Sequence, residues 1–302
     1  MRKEFAQHIE KLAVENEKIV FITGDLGFMA LENVKKAMGD RFINAGVSEQ
    51  NMISMAASFA YEGLLPICYS IAPFIVFRPV EQIRLDVCLH NLNVKIVGNG
   101  GGFGYGIMGA THHAIEDIAV LSCLQNMQCF IPFCNEDVNG AIDQMFAYNG
   151  PSYLRLGFGI KPENVTIPKF SNIRKILSGN EITILGTGPV LLNVFDAAKS
   201  FKNDLSDIFV VSQLPVISLS EELKQSLKKT NKLLIIEEHV KRGGLGENIA
   251  SVLFEEKIFC KLSHLFINGY INGLYGNQAY HIAENELDAN SITKEIKKLI
   301  ND

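Results

Sequence analysis

The sequence predicts an α/β protein: two tandem α/β domains with mostly parallel sheets. Three observations carry this. Short runs rich in Val and Ile alternate with longer amphipathic stretches through the first half, the pattern of strands buried beneath helices. From Gly159 to Asn180 the text changes to GIKPENVTIPKFSNIRKILSGN, with two prolines and little periodicity, which marks a boundary. A second alternating series then begins. The expected units are a domain over 1–160, a linker over 161–180 and a domain over 181–302.

The N-terminal stretch MRKEFAQHIEKLAVENEK reads as an amphipathic helix, and the charges spread through it argue against a signal peptide. Strands are expected over KIVFITG, RFINAG, PICYS, VKIVGN, CFIPF and SYLRLG, with helical patterns between them. In the second half, EITILGTG, DIFVVSQL, KLLIIEEH and KLSHLFING read as strands, and LLNVFDAAKS, SEELKQSLKK and GENIASVLFEE as helices. No fixed short repeat or low-complexity tract is visible, which argues against solenoids and propellers.

With 302 residues, 47% of them apolar, the chain can bury a sizeable core. The net charge of −5 and the lack of any dense Lys/Arg run argue against a nucleic-acid partner. No apolar stretch approaches the ~18 residues of a membrane span, so no membrane partner is expected and the cytoplasm follows by default. Six cysteines occur without a C-x-x-C pair, in apolar surroundings, and read as reduced core residues.

The glycine run GNGGGFGYGIMG, residues 98–109, follows a strand and lets backbone approach a ligand closely. Gly104, Gly106 and Gly109 fit G-x-G-x-x-G, but Gly104 lies seven residues beyond the strand candidate VKIV and no acidic residue follows at the right distance for a dinucleotide fingerprint. Thr111-His112-His113 comes next, where a helix is expected to begin. One of the two histidines facing a cleft could donate a proton or bind a substrate oxygen, whereas adjacent helical histidines make a poor metal pair. Glu49 lies in the first turn of an apolar helix, where the helix dipole favours an acid. A capping box would need Glu or Gln at position 51, and Asn51 stands there, so capping does not by itself require Glu49. In GGLGE, Gly243, Gly244 and Gly246 open a helix, which suits either an anion site or tight strand-to-helix packing.

In order, TGDLG, RFINAGVSEQNM, YSIAPFIVFRPVEQIRLD, the glycine run with THH, SYLRLG and IIEEHVKRGGLGE resemble the C-terminal half of the transketolase family. That family includes 1-deoxyxylulose-5-phosphate synthase and resembles the β chains of 2-oxoacid dehydrogenases. The similarity spans essentially the whole chain: the first domain resembles the pyrimidine-binding domain and the second the family's C-terminal domain. The resemblance implies that Glu49 hydrogen-bonds N1′ of the aminopyrimidine of thiamine diphosphate (ThDP). A carboxylic acid there favours the imino form that activates the cofactor, while glutamine could hold the ring but not exchange the proton. It further implies that Phe74 and Phe77 stack on the aminopyrimidine, that Asp25 and Leu26 lie near the cofactor, that His112 contacts substrate hydroxyls, and that Arg155 binds substrate phosphate.

Departures from the family pattern point to an altered substrate. Met108 stands where transketolases carry an Asp that reads the donor's hydroxyl, and Gly100 replaces a family His, so a modified sugar is expected rather than the ordinary pentose phosphates. The family holds the diphosphate through Mg²⁺ on a G-D-G segment. Here only Gly24-Asp25-Leu26 and Gly39-Asp40-Arg41 occur, so no metal is expected on this chain. An N-terminal companion subunit is expected to supply that domain and the Mg²⁺, in an α2β2 heterotetramer. The expected activity is transfer of a two-carbon ketol unit from a ketose to an aldehyde by a split transketolase. The alternatives are the β component of a 2-oxoacid-decarboxylating enzyme, half of a deoxyxylulose-phosphate synthase, or a noncatalytic α/β scaffold.

Overall fold

The computed structural model describes residues 1–27, 29–201 and 205–301. The first unit runs α1 (Arg2–Glu15), β1 (Ile19–Thr23), α2 (Glu32–Met38), β2 (Phe42–Asn44), α3 (Glu49–Tyr61), β3 (Leu65–Ile71), α4 (Ala72–Phe77), α5 (Val80–Gln82), β4 (Lys95–Asn99), α6 (Asp117–Ser122), β5 (Gln128–Phe130), α7 (Val138–Ala147) and β6 (Ser152–Leu156). The second runs β7 (Ile173–Leu177), β8 (Ile182–Thr187), α8 (Leu192–Ala198), β9 (Ser206–Val211), β10 (Gln213–Leu214), α9 (Glu221–Thr230), β11 (Lys232–Val240), α10 (Leu245–Glu255), β12 (Lys261–Ile267), α11 (Gln278–Glu284) and α12 (Ala289–Asn301). The protein is α/β, with one seven-stranded and one five-stranded sheet, both mostly parallel.

The seven-stranded sheet has the order β10-β5-β6-β4-β3-β1-β2. Of its inner strands, β1 (IVFIT) and β6 (SYLRL) are buried along their whole length, and β3, β4 and β5 at all but one residue each. Strands covered by helices on both faces take β-branched and aromatic residues at every position rather than at alternate ones. The second sheet has the order β12-β11-β8-β9-β7.

Two elements differ from the sequence expectation. Residues 173–177, inside the expected linker, form β7 at an antiparallel edge of the second sheet. Arg174 is drawn inward there by a two-pronged ion pair with Asp137, with both N···O distances 2.8 Å. The segment DIFVVSQL is not one strand but two: β9 stays in its own sheet, and β10 crosses to pair antiparallel with β5 of the first. Apolar packing likewise ignores the boundary, running from Val20 and Ile22 through Cys129 and Ile131 to Phe209, Val211 and Leu233.

Of the six cysteines, Cys68, Cys88, Cys129 and Cys134 are buried thiols, whereas Cys123 is exposed and Cys260 only partly covered. The core expectation is corrected for those two: Cys123 ends up beyond the buried face of α6, and Cys260 just ahead of β12. No helix among the described residues is long and apolar enough to cross a membrane.

At the amino end of β4, the fully buried Lys95 donates to the carbonyls of Tyr148 at 2.7 Å and Gly150 at 3.2 Å. Burial pushes its ammonium down from 10.5 to about 7. Between those pH values the unfolded chain holds one more proton than the folded one, so this residue's contribution makes stability rise with pH. Relative to Lys95→Met, the wild type should gain roughly 4 kcal/mol in urea unfolding from pH 7 to 10.5. A flat difference would show that the ammonium is well solvated.

Candidate functional site

Parallel α/β sheets bind ligands beyond the carboxyl ends of their strands. Here β1, β3, β4 and β6 deliver four loops to that edge, and the side chains singled out in the sequence fall among them.

Glu49 is the first residue of α3, and its side chain is 2% exposed. Ser48, the N-cap, spends its hydroxyl on the carbonyl of Ala45 at 2.6 Å and makes no cap bond to the helix. The Glu49 carboxylate turns instead toward the end of β3: Oε2 accepts from Nη1 of Arg78 at 2.8 Å, and Ser70 Oγ lies 3.4 Å from Oε1. Gly24 lies alongside, where a Cβ would stand 3.7 Å from Oε1.

The same guanidinium sits over the ring of Phe74, its Cζ 4.0 Å from the ring centroid. Phe74 also meets the ring of His112, edge-on at 5.1 Å. Thr111 Oγ1 lies 2.9 Å from Nδ1 of His112, and the ring of Tyr105 is 5.8 Å away. The hydroxyl of Tyr105 accepts from Asn99 Nδ2 at 2.9 Å. A continuous line of side chains thus runs from the buried carboxylate of Glu49 through Arg78 and Phe74 to His112, Tyr105 and Asn99.

The structure brings Glu49, Phe74 and His112 together and distributes the other expected residues around them. Asp25 and Leu26 form the turn after β1. Asp25 adopts φ 59° and exchanges two hydrogen bonds with Asn44, at 2.9 and 3.0 Å. For a non-glycine residue this conformation costs on the order of 1 kcal/mol. Asp25 and Leu26 line a cavity of about 500 Å³ with Thr23, Lys35 and Phe42. Phe77 is 36% exposed at the end of α4 and, among the described residues, no ring contact joins it to Phe74. Met108 is 54% exposed on the glycine loop.

Gly100 has φ 73°, and a Cβ there would overlap the ring of Tyr105. The room vacated by the missing side chain is therefore taken by Tyr105, which the sequence reading passed over. Tyr105, Asn99 and Gly100 line a second cavity of about 450 Å³ together with Arg2, Lys3 and Phe158.

One expectation is corrected. Thr111-His112-His113 does not open a helix: Gly106 and Gly109 have positive φ, a two-way backbone bridge ties Ala114 to Gly102, and α6 starts only at Asp117. His113 consequently points inward, with Nε2 2.7 Å from the Gly106 carbonyl and Nδ1 2.9 Å from the Tyr270 hydroxyl. Burial, above all, lowers its pKa. The carbonyl can only accept, so Nε2 carries the hydrogen, and in the neutral ring favoured by burial Nδ1 accepts a hydrogen bond from the Tyr270 hydroxyl.

Arg155, expected to bind substrate phosphate, is 4% exposed and committed to the protein. Its Nε donates to Asp117 at 2.9 Å, and its Nη2 to the carbonyls of Ala114 at 2.8 Å and Glu238 at 3.1 Å. It is a strut between the domains.

The glycines of GGLGE serve packing. The N-terminus of α10 already holds an anion, Glu237, whose carboxylate accepts from the amides of Leu245 at 2.7 Å and Gly246 at 2.9 Å. His264 completes it at 2.8 Å. The next residue, Glu238, reaches across to the glycine loop and accepts from the Phe103 amide at 2.8 Å and from Gln278 at 2.9 Å. Its pKa is raised, chiefly by burial. The second domain thereby holds the loop that carries His112.

Among the described residues, no group of three or more His, Cys, Asp or Glu side chains is placed to hold a metal ion. Of the residues that sequence reasoning missed, Arg78 had a legible signal: it follows Phe74 by four positions on a helix and so shares its face.

Comparison with known proteins identifies both domains. Residues 1–157 match the transketolase pyrimidine-binding domain, and residues 172–285 match the transketolase C-terminal domain. The chain belongs to the transketolase family. It is 27% identical over 300 residues to an apulose-4-phosphate transketolase subunit of Phocaeicola vulgatus, covering 97% of this chain and 95% of that one. It is 30% identical over 270 residues to the protein of the same name from Actinobacillus succinogenes, covering 85% and 84%. Among solved structures, a split-gene transketolase described as an inactive β4 tetramer superposes with a TM-score of 0.85, at 28% identity, covering 99% of this chain and 97% of that one. Transketolase from Leishmania mexicana shares the fold at a TM-score of 0.78, this chain spanning 45% of its length.

Proposed function

We propose that this chain is the C-terminal component of a split, ThDP-dependent transketolase. In this reading an N-terminal companion carrying the G-D-G segment holds Mg²⁺ and the diphosphate, and the two chains form an α2β2 assembly. The observation that carries the reading is the buried Glu49 carboxylate, held at 2.8 Å by the guanidinium that covers the face of Phe74, in a chain that matches transketolase subunits over most of their length. That arrangement fits an aminopyrimidine: a flat ring with an acceptor nitrogen can lie on Phe74 and meet Glu49.

When bound, ThDP supplies the carbon nucleophile for cutting a ketose beside its carbonyl. Glu49 holds and exchanges the proton at N1′. Phe74 offers its face to the ring, while Leu26, Asp25 and Phe77 close the surrounding walls. His112, steadied by Thr111, hydrogen-bonds substrate oxygens, and Gly100 and Met108 shape the space that the sugar enters. The cavity holding Arg2, Lys3 and Tyr105 suits the far end of a polar, phosphorylated or otherwise modified sugar. Arg155 has no part in this scheme.

The test is calorimetric titration of ThDP with Mg²⁺ into this chain, into its companion, and into the mixture. Binding confined to the mixture is the expected result. Consumption of hydroxypyruvate only when an acceptor aldehyde is present separates ketol transfer from pyruvate-decarboxylating chemistry. Binding in no combination would leave a scaffold role as the better account.

A further inference from the structure

Arg78 makes two contacts that belong together. Its guanidinium is a flat, cationic group bearing N–H donors; it lies on the face of Phe74 with Cζ 4.0 Å from the centroid and donates to Glu49 at 2.8 Å. These are the two contacts that the proposed reading assigns to the aminopyrimidine: a planar group on Phe74, and a bond to Glu49. One space cannot hold both. Building on that reading, we infer that Arg78 is an internal occupant of the aminopyrimidine position, which leaves when the cofactor enters and so sets cofactor affinity.

Three features fit an occupant that exchanges. The Arg78 side chain is 44% exposed, whereas Glu49 is 2% exposed, so the arginine can swing into solvent and regain its hydration while the carboxylate cannot. Arg78 immediately follows α4 and keeps helical angles there, φ −66° and ψ −48°. Departure therefore needs only side-chain rotation, with the backbone that carries Phe74 left in place. Without Arg78, among the described residues only the Ser70 hydroxyl at 3.4 Å would face the Glu49 carboxylate. A buried carboxylate short of donors is costly, and the exchange replaces one donor by another, so Glu49 is never left without one. The stack on Phe74 likewise keeps that ring in the orientation a bound ring would use.

The test uses the chain assembled with its companion subunit. Removing the occupant in Arg78→Ala should tighten ThDP binding by calorimetry about tenfold, given the usual worth of a cation–π contact and a charged hydrogen bond. Arg78→Lys, which keeps the charge but loses the planar stack, should fall between the two. The cofactor-free Ala variant should melt below the wild type, and its gain in melting temperature on adding ThDP should be larger. Millimolar methylguanidinium, a free copy of the lost group, should weaken ThDP binding to the Ala variant and leave the wild type unaffected. Equal or weaker cofactor binding by Arg78→Ala, with the wild type binding normally, overturns the role inferred for Arg78 alone. Failure of the wild type to bind ThDP at all overturns the cofactor reading beneath it.

Discussion

Glu49→Gln should leave ThDP bound to the two-subunit assembly within a few-fold of wild type and lower turnover by roughly a thousandfold, the range of a lost acid–base group. Glutamine is nearly isosteric: its one amide oxygen can accept from Arg78 while its NH2 donates to the Ser70 hydroxyl, so the fold is undisturbed. An amide can hold N1′ in place but cannot carry a proton to and from it. Glu49→Ala, by contrast, removes both functions and should weaken binding as well. The comparison is made by calorimetry alongside steady-state rates with a ketol donor and an acceptor aldehyde. Unchanged turnover in Glu49→Gln would count against a catalytic chain and favour the scaffold alternative.

The largest loss of stability is expected at Asp117. Its carboxylate, fully buried, accepts from the Tyr153 hydroxyl at 2.7 Å and from Arg155 Nε at 2.9 Å. Asp117→Ala strands the Arg155 cation in the seam between the domains, a change that typically costs about 3–5 kcal/mol. Against a total stability of about 5–15 kcal/mol this is a large share. Because Arg155 also holds the Ala114 carbonyl, which borders the His112 turn, amide exchange across residues 102–114 should rise as stability falls. The control is Asp196→Ala, which breaks the exposed pair with Lys199 and should shift stability by no more than about 0.5 kcal/mol. Equal effects at the two sites in urea unfolding would refute the buried-strut account.

Local pattern was enough for most of the scaffold. KIVFITG, PICYS, VKIVGN and SYLRLG announce the strands β1, β3, β4 and β6 because a strand buried on both faces writes itself as an unbroken apolar run. What pattern could not show depends on partners distant in sequence. The strand β7 reads as linker because it lies at a sheet edge and its one fully buried residue is Arg174, drawn inward by Asp137 rather than by hydrophobicity. The pair Gln213-Leu214 looks like the end of β9 until the open edge of β5 is seen beside it. Arg155 looks like an anion ligand, and only the fold reveals that Asp117 already claims it. At the site, Glu49 and His112 could be singled out from the sequence, yet the residue touching both Glu49 and Phe74 is Arg78, whose meaning appears only once α3 and β3 are side by side.

The crossing of β10 also bears on how the chain is made. An emerging polypeptide that has reached residue 160 has all the inner strands of its first sheet, but β5 is still an open edge with unpaired backbone groups, the kind that recruits other chains. Its cover lies in the second half, beyond β9, and is still to be synthesised. A product truncated at the apparent domain boundary should therefore stick to itself through β5, and nascent chains should be most in need of chaperones in the interval before Gln213 and Leu214 arrive. The two halves are separable as text, but during synthesis the later one closes the sheet that the earlier one leaves open.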